Sequence, residues 1–463
     1  MPLIVWRESA DPNVYEAART SRLFNGVIPP RYPVAIAFAK SEQDIVDAIN
    51  TAIQKDHRVS VRAGGHSYAA WSLRSDALLL DLGQYVEMEL DEESGIVRAS
   101  PGVTGEQLNA YLSAKARAFS VGHCPDVALG GFLLGGGMGW NSNNWGWACE
   151  SIVAIDLVTA SGELIRADVC NNADLFWAAR GGGPAFPGVV TRFHLQTRQA
   201  PKVTRSSVYI YPAEHYTTAF NWILKVLQTT VFQNICVKAE LTCQIASSVD
   251  QLVEITAVGS YKEGVQDACL TIILLAFGDD EHAVGDILQK ADQSRPAGLL
   301  SRSFSEETSI HRELESKYKA YPIGQRYKVD NVFLNNDTDV AELLRPAFTT
   351  LPTRQSLALW SSMRPRSTRS LTDMALSVQS DHYFALYAIW ENEADEVENG
   401  AWVAGVMNQV QRQAAGAYLG EHDFKARAAR LWGSQQYERL VAIKRKWDPS
   451  NRICGCLGLE ELD

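Results

Sequence analysis

Positive charge is scarce in this sequence, and its basic residues form no run. The 463 residues include 43 Lys and Arg against 54 Asp and Glu, which gives a formal net charge of -11. Binding to a nucleic-acid backbone by counterion release needs clustered Lys and Arg. We therefore expect no nucleic-acid partner.

Long apolar runs are also missing. No stretch approaches the roughly 20 apolar residues that span a bilayer. The N-terminal stretch MPLIVWRESA lacks the basic start and the small-residue cleavage site of a secretory signal. We therefore expect an intracellular protein with no membrane partner.

The cysteines form no Cys-x-x-Cys pair. All eight are dispersed, and the Cys-x-Cys at Cys454 and Cys456 has no further ligand type close by in the sequence. A structural metal site needs several such ligands together. We therefore expect reduced cysteines and no metal.

What the sequence does contain is a mixture of helical and strand-like segments, in a chain too long for a single core. A helical period covers 41–57, and Thr104 with Gln107 forms a capping box at the start of another helix. Strand-like runs bounded by turn residues occupy 57–61, 78–82, 95–100 and 152–162. We predict an α+β domain over 1–199, with its core at 31–198.

Near Ala200 the pattern changes to long strand-like segments that alternate with amphipathic helices such as the one at 215–228. The strand-like segments are 206–211, 236–244, 251–260, 373–380 and 382–390. This pattern predicts a second domain over 200–414, an antiparallel sheet backed by helices on which a substrate can lie. We expect the C-terminal segment 415–463, with a helix at 435–447, to return to the first domain.

The first chemically informative motif is Arg62-Ala63-Gly64-Gly65-His66-Ser67-Tyr68. Two glycines directly after a strand let the backbone turn tightly and approach a ligand, and a histidine follows at that point. On its own the motif is also compatible with a surface turn that carries a structural histidine.

Two further glycine-rich motifs follow, GHCP (122–125) with GGFLLGGGMG (130–139), and RGGG (180–183) with GVVTRF (188–193). In the first of these, six glycines leave backbone N–H groups unhindered, which suits a pyrophosphate where no basic side chains are offered. Its alternative is close packing of two backbones, and it is neither a Walker loop nor a dinucleotide-fold fingerprint. The second is a glycine turn ahead of a strand, and its alternative is only a tight turn.

In this order the motifs resemble those of the FAD-linked oxidases of the vanillyl-alcohol-oxidase superfamily, most closely its berberine-bridge-enzyme-like branch. The resemblance runs from about Arg31 to the C-terminus and includes 418–421 and 446–451. It implies a two-domain FAD-binding fold of the PCMH type. It also implies FAD held by two covalent bonds, from His66 to the flavin 8α-methyl carbon and from Cys124 to flavin C6.

The resemblance implies further cofactor contacts around these two linkages. They are Arg62, Gly64, Gly65, Ser67, Tyr68, Gly122, Leu129, Gly130, Gly131, Gly135, Gly136, Gly137, Val190 and Asn451. Leu129 stands at the position where bulky side chains obstruct the access of O2 to the flavin in relatives. The resemblance therefore implies slow reoxidation.

The sequence departs from its relatives at the expected base. Relatives read Tyr-x-Asn-Tyr, with the second Tyr facing the flavin, whereas this chain has Gly420 for the Asn and Glu421 for that Tyr. Glu421 is the first candidate, because burial beside an uncharged flavin raises the pKa of a carboxyl group. Tyr418 is the second candidate, and His382 or Tyr383, at the start of an alternating strand, is the third.

The predicted function is oxidation of a small molecule, an alcohol, a sugar or a specialised metabolite. A base takes a proton from O–H or N–H while a hydride passes from carbon to flavin N5, and O2 then accepts the electrons. Two alternatives remain open. One is an oxidative cyclase of secondary metabolism that couples the same hydride transfer to ring closure, and the other is a non-redox flavin-dependent cyclase or binding protein.

Overall fold

The computed structural model describes residues 1–229 and 253–455. Its α-helices are α1 (Pro12–Thr20), α2 (Glu42–Gln54), α3 (Gly105–Ser113), α4 (Leu129–Leu134), α5 (Ser142–Trp145), α6 (Ala173–Ala179), α7 (Tyr216–Thr229), α8 (Glu281–Gln293), α9 (Ile310–Ala320), α10 (Val340–Thr349), α11 (Glu396–Val410) and α12 (Ser434–Trp447).

The strands of the N-terminal half are β1 (Leu3–Trp6), β2 (Ala35–Phe38), β3 (Arg58–Arg62), β4 (Ala77–Asp81), β5 (Met88–Asp91), β6 (Ile96–Ala99), β7 (Arg117–Ala118), β8 (Ile152–Thr159), β9 (Leu164–Asp168), β10 (Gly188–Gln196) and β11 (Arg198–Gln199). Those that follow are β12 (Val203–Pro212), β13 (Val253–Ser260), β14 (Cys269–Gly278), β15 (Ser301–Glu307), β16 (Arg326–Leu334), β17 (Leu357–Ser362), β18 (His382–Trp390) and β19 (Ala414–Gly416).

The N-terminal half contains a four-stranded sheet of order β1-β2-β4-β3, in which β3 and β2 each run parallel to β4. Ser41 caps α2 by accepting a hydrogen bond from the Asp44 amide, and the apolar face of α2 packs on this sheet. The N-terminal half also contains a five-stranded sheet of order β5-β6-β10-β8-β9. The first glycine-rich motif, residues 62–68, begins at the carboxyl end of β3, which pairs in parallel with β4.

An eight-stranded antiparallel sheet follows, of order β15-β12-β14-β13-β17-β18-β16-β19. Because successive strand residues point to opposite faces, β18 contributes to two separate cores. Tyr383 and Tyr387 pack in the core that the sheet shares with the N-terminal half. Phe384 and Leu386 pack in a second core, under helices that include α7 and α11.

The C-terminal segment lies against the N-terminal half. Helix α12 contacts α6, and Ile453 forms a parallel bridge to Val59 of β3. The Cys454 amide donates to the Val59 carbonyl at 2.8 Å. Among the described residues no helix combines the length and the apolar character needed to cross a bilayer.

The predicted α+β class is confirmed, and most of the predicted segments fall on observed elements. The strand predicted at 373–380 is wrong. Its backbone hydrogen-bonds the end of α6 instead of a strand, with the Leu376 amide donating to the Arg180 carbonyl at 2.9 Å. The segment 236–244 and Cys456 lie outside the described residues.

The Arg62 side chain is held by three residues of the N-terminal half. It is completely buried, and its Nε lies 2.6 Å from Oδ2 of an equally buried Asp81. Its other nitrogens donate to the carbonyl oxygens of Ala18 and Arg19 at 2.8 and 2.6 Å. The guanidinium thus ties β3 to β4 and α1.

We predict that Asp81→Ala destabilises the fold by about 3–5 kcal/mol, because it leaves a buried guanidinium without its counter-charge. Denaturant unfolding followed by fluorescence measures the loss. Asp76→Ala is the matched control, since it removes the partner of Arg58 from a pair whose carboxylate is 62% exposed, and such pairs contribute about 1 kcal/mol or less. Equal losses in the two variants would contradict the assignment.

Candidate active site

A cavity of ≈ 350 Å³ lies where the loop after β3 meets residues 122–138, 183–190 and the C-terminal stretches 418–424 and 453–455. We call it the main cavity. The predicted cofactor residues that line it are Arg62, Gly64, Gly65, His66, Ser67, Tyr68, Gly122, Cys124, Gly130, Gly131, Gly135 and Val190. Residues from all three glycine-rich motifs therefore face one space.

Four residues predicted to contact the cofactor are not among those that line the main cavity. Leu129 begins α4 with its side chain buried in the core, and its effect on O2 access stays a prediction. The carbonyls of Gly136 and Gly137 accept hydrogen bonds from the backbone amides of the turn at 148–149 at 2.9 Å. These two glycines therefore allow two backbone segments to pack closely. The Asn451 carbonyl accepts from Arg58 Nε at 2.9 Å in the turn after α12.

The backbone before His66 is shaped for a close approach. Gly65 has φ +80°, and a Cβ there would collide with the Arg22 carbonyl oxygen, so only glycine fits. The His66 ring stacks on Phe24, with centroids 4.0 Å apart and an interplanar angle of 23°. Phe24 in turn meets the edge of Tyr68 at 5.6 Å. These rings hold the imidazole in one orientation at the cavity wall.

The imidazole of His66 sits between an acid and a thiol. Its Nε2 lies 3.3 Å from Oδ1 of Asp126, but it is enclosed without a well-aligned hydrogen bond among the described residues. Burial alone lowers the pKa of His66, yet Asp126 and Cys124 outweigh it and raise the pKa to about 10. With the open space beside the Gly131 backbone, the lining of the main cavity fits an FAD group.

Glu421 ends a short 3-10 turn, Leu419–Glu421, and its carboxylate faces the main cavity. Oε1 accepts a hydrogen bond from the Tyr387 hydroxyl at 2.5 Å, and Oε2 accepts one from the Tyr383 hydroxyl. Burial raises the pKa of Glu421, while the two tyrosine hydrogen bonds and the nearby His66 oppose the rise. The site therefore contains a carboxyl group that is half-buried, oriented and less acidic than usual.

The other predicted bases are placed differently. The Tyr418 hydroxyl accepts a hydrogen bond from the Met138 amide at 3.3 Å. The sequence predicts His382 as a candidate base, but the structure places it away from the site. Its position in β18 puts it on the opposite face of the sheet from Tyr383, and its ring lies 5.8 Å from that of Trp360. The structure thus brings Glu421, Tyr418 and Tyr383 together and leaves His382 outside.

A buried polar cluster holds the segment that carries Glu421. The Asn331 side chain bonds both the amide and the carbonyl of Tyr418, at 2.7 and 3.0 Å. Arg427 forms two 2.8 Å hydrogen bonds with the Asp330 carboxylate. His422 Nδ1 lies 3.5 Å from the same carboxylate. These groups fix both ends of the turn to β16.

Sequence reasoning missed Phe24, Tyr387 and Asn331 as site residues. Tyr387 had a usable signal, since it lies on the same face of the alternating strand as Tyr383. Phe24 and Asn331 had none, because their partners are distant in the chain.

Comparison with known proteins adds sequence and structural relatives. Residues 33–168 match the family profile of the FAD binding domain, and residues 417–452 match the profile described as berberine and berberine like. The chain is 36% identical over 461 residues to the FAD-linked oxidoreductase janO of Penicillium janthinellum, covering 99% of this chain and 98% of that protein. It is 35% identical over 178 residues to the carbohydrate oxidase of Microdochium nivale, covering 38% of this chain and 36% of that protein.

Solved structures share the fold at low identity. The Physcomitrella patens BBE-like 1 protein superposes with a TM-score of 0.81 at 18% identity, covering 97% of this chain and 95% of that chain. The berberine bridge enzyme of Eschscholzia californica superposes with a TM-score of 0.77 at 16% identity, covering 98% of this chain and 97% of that chain.

We predict that the interaction of the Asp330 carboxylate with Arg427 and His422 stabilises the protein less in acid. Burial raises the pKa of Asp330, but the hydrogen bonds from Arg427 and His422 outweigh burial and hold the pKa at about 2, against roughly 3.9 when unfolded. The stabilisation, roughly 2 kcal/mol, is therefore complete above about pH 4 and is lost as the pH falls towards 2. Thermal unfolding should show the deficit of Asp330→Asn shrinking over that range, and a deficit that does not change with pH would contradict the prediction.

Proposed function

The chain belongs to the berberine-bridge-enzyme-like FAD-linked oxidoreductases, and from that premise we propose that it oxidises a small alcohol, sugar or specialised metabolite with covalently bound FAD. The observation that carries the proposal is the position of Glu421. This one carboxyl group faces the main cavity, beside His66 and Cys124, and also the pocket above the large sheet.

Covalent attachment is supported by the surroundings of His66 and Cys124. Both side chains line the main cavity, and the stack with Phe24 keeps the imidazole from turning away. A ring tethered at two carbons cannot tilt when a substrate packs against it. We therefore assign His66 and Cys124 as the two attachment residues.

Bound FAD would supply the hydride acceptor at its N5 atom, and O2 would then remove the electrons as hydrogen peroxide. The chain's own part is the proton. Glu421, as the carboxylate, accepts the proton of a substrate hydroxyl held over the sheet. Tyr383 and Tyr387 point their hydroxyl groups at the carboxylate and orient it. Their phenols donate to Glu421, and burial raises the pKa of both, so neither serves as the base.

The direct test of the function is anaerobic. The purified protein is mixed with candidate alcohols, sugars and aromatic metabolites, and bleaching of the flavin absorption is followed, with hydrogen peroxide measured after air is admitted. Bleaching by at least one compound is expected, and product mass then separates simple oxidation from oxidative ring closure. A flavin that no compound bleaches would favour the non-redox alternative.

We predict that acid-precipitated wild-type protein stays yellow. Cys124→Ala should keep the flavin through His66, and His66→Ala should keep it through Cys124, so that only the double variant releases it. Cys149→Ala is the matched control, because Cys149 is buried in the core away from the cavity lining. Complete release of flavin from the wild type would refute covalent attachment.

We predict that Glu421→Gln slows flavin reduction about 10²–10⁴-fold, the usual contribution of a positioned base. In the wild type the rate should fall as the pH drops through a value above the ordinary carboxyl pKa of 4.5, because the protonated acid cannot accept a proton. This acid limb should vanish in Glu421→Gln. Stopped-flow reduction measures both effects, with Tyr418→Phe as the control that keeps the limb, and a wild-type rate in Glu421→Gln would rule Glu421 out.

A further inference from the structure

A second pocket adjoins the main cavity on the inner face of the eight-stranded sheet, and we call it the sheet pocket. It shares Tyr68, Cys124 and Glu421 with the main cavity. Its floor consists of strand side chains from β13, β14, β17 and β18, and its far wall comes from residues 140–143 and 363–366. A substrate that lies over β13, β17 and β18 and reaches Glu421 occupies this pocket.

The strand register places a second carboxylate far from the first. Thr256 of β13 pairs with Ser361 of β17, which pairs with Tyr383 of β18. Glu254 stands two residues before Thr256 on the same face of β13. With strands about 4.8 Å apart and about 3.4 Å per residue, the backbone of Glu254 lies roughly 12 Å from that of Tyr383, whose hydroxyl bonds Glu421.

Glu254 is a carboxylate with few partners. The Asn143 amide donates to its Oε1 at 3.5 Å, and no Lys or Arg of the described residues lies within 4.0 Å of it. Burial raises the pKa of Glu254 to about 7, although Arg366 and nearby backbone amides oppose the rise. A carboxyl group in this position gains from another hydrogen-bond donor.

Arg366 lies in the same pocket without meeting Glu254. Its side chain is buried, packs over the Trp147 ring at 4.5 Å, and donates to the Ser142 hydroxyl. Lys317, on α9, is a second cation of the pocket lining. Arg366 acts on the pKa of Glu254, so this cation makes the Glu254 end of the pocket a poor place for a substrate ammonium group.

The floor of the pocket combines apolar side chains with two hydroxyl groups. Leu359 of β17 and the Thr256 and Ser361 hydroxyls, which lie 3.3 Å apart and bond each other, stand on the strands that lead from Glu254 towards Glu421. Ile273 and Leu275 of β14 face the pocket on the other side of β13. One of these hydroxyls donates to the other and neither is charged, so the Glu254 carboxylate is the strongest acceptor at the far end. The pocket therefore suits an apolar body with one polar group remote from Glu421.

We propose that Glu254 accepts a hydrogen bond from a neutral hydroxyl group of the substrate, roughly 10 Å from the carbon that is oxidised. This inference rests on the proposed oxidase function and narrows its substrate class to an elongated, largely apolar alcohol with a second hydroxyl at its far end. Glu254 is a specificity-determining residue, since it lies too far from Glu421 to take part in proton removal.

Two matched probes test the proposal, 2-naphthalenemethanol and its 6-hydroxy derivative, which adds one hydroxyl at the far end. Dissociation constants are measured by anaerobic titration calorimetry on the complete protein. With the titration made at a pH above the Glu254 pKa of about 7, where the carboxyl group is charged, the hydroxylated probe should bind about tenfold more tightly, the effect of one hydrogen bond to a charged acceptor. Glu254→Met should abolish the difference, and Glu254→Gln, which keeps an acceptor oxygen, should keep part of it.

Glu313→Met is the matched control, because Glu313 lines the same pocket but already accepts a hydrogen bond from the Thr308 hydroxyl at 2.7 Å. It should leave the ratio unchanged. Equal affinity of the two probes for the wild type, including no binding by either, overturns the proposal even if Glu254→Met does not fold. Tighter binding of the 6-aminomethyl analogue than of the hydroxyl probe also overturns it. The measurement needs no turnover, so its failure is distinct from a flavin that no compound bleaches.

Discussion

A buried carboxyl group without a cationic partner is costly unless hydrogen bonds satisfy it, and Glu421 imposes this requirement on the centre of the molecule. Two tyrosine hydroxyls from β18 meet its two oxygens. They can do so only if the sheet and the turn at 419–421 approach each other closely. The Asn331 bonds to Tyr418 maintain that approach. Hydrogen bonds from β16 and β18 to the short turn at 418–421 therefore hold the large sheet next to the main cavity.

The same requirement separates structural from chemical roles among the charged residues. Arg62 and Asp81 form a fully buried pair inside the N-terminal half, in which the two charges balance each other. Asp330 and Arg427 form a second paired acid and base beneath the turn. Glu421 instead has neutral donors, which orient a carboxylate without neutralising its charge. That difference is what leaves Glu421 able to exchange a proton.

Local sequence signals predicted much of the fold and one part of the site. Caps at Ser41 and Thr104 marked real helix starts, and the glycine motifs marked the loops that meet at the main cavity. The signals failed where a distant contact decides. Residues 373–380 alternate like a strand but bond the end of α6. Periodicity alone could not say which face of β18 looks towards the cavity, and so His382 and Tyr383 remained equivalent until the sheet was placed.

Glu254 and Glu421 line the same pocket, but the two carboxyl groups have different proposed roles. Burial raises the pKa of both carboxyl groups, but their surroundings differ. Glu421 stands at the boundary with the main cavity and is held by two side-chain hydroxyls, so a proton that it accepts arrives beside the flavin site. Glu254 is held from the backbone side by the Asn143 amide, and the strand register keeps it roughly two strands away. A substrate that satisfies Glu254 is therefore aligned along the sheet before its other end meets Glu421, and alignment of this kind lowers the entropic cost of reaching the reactive geometry.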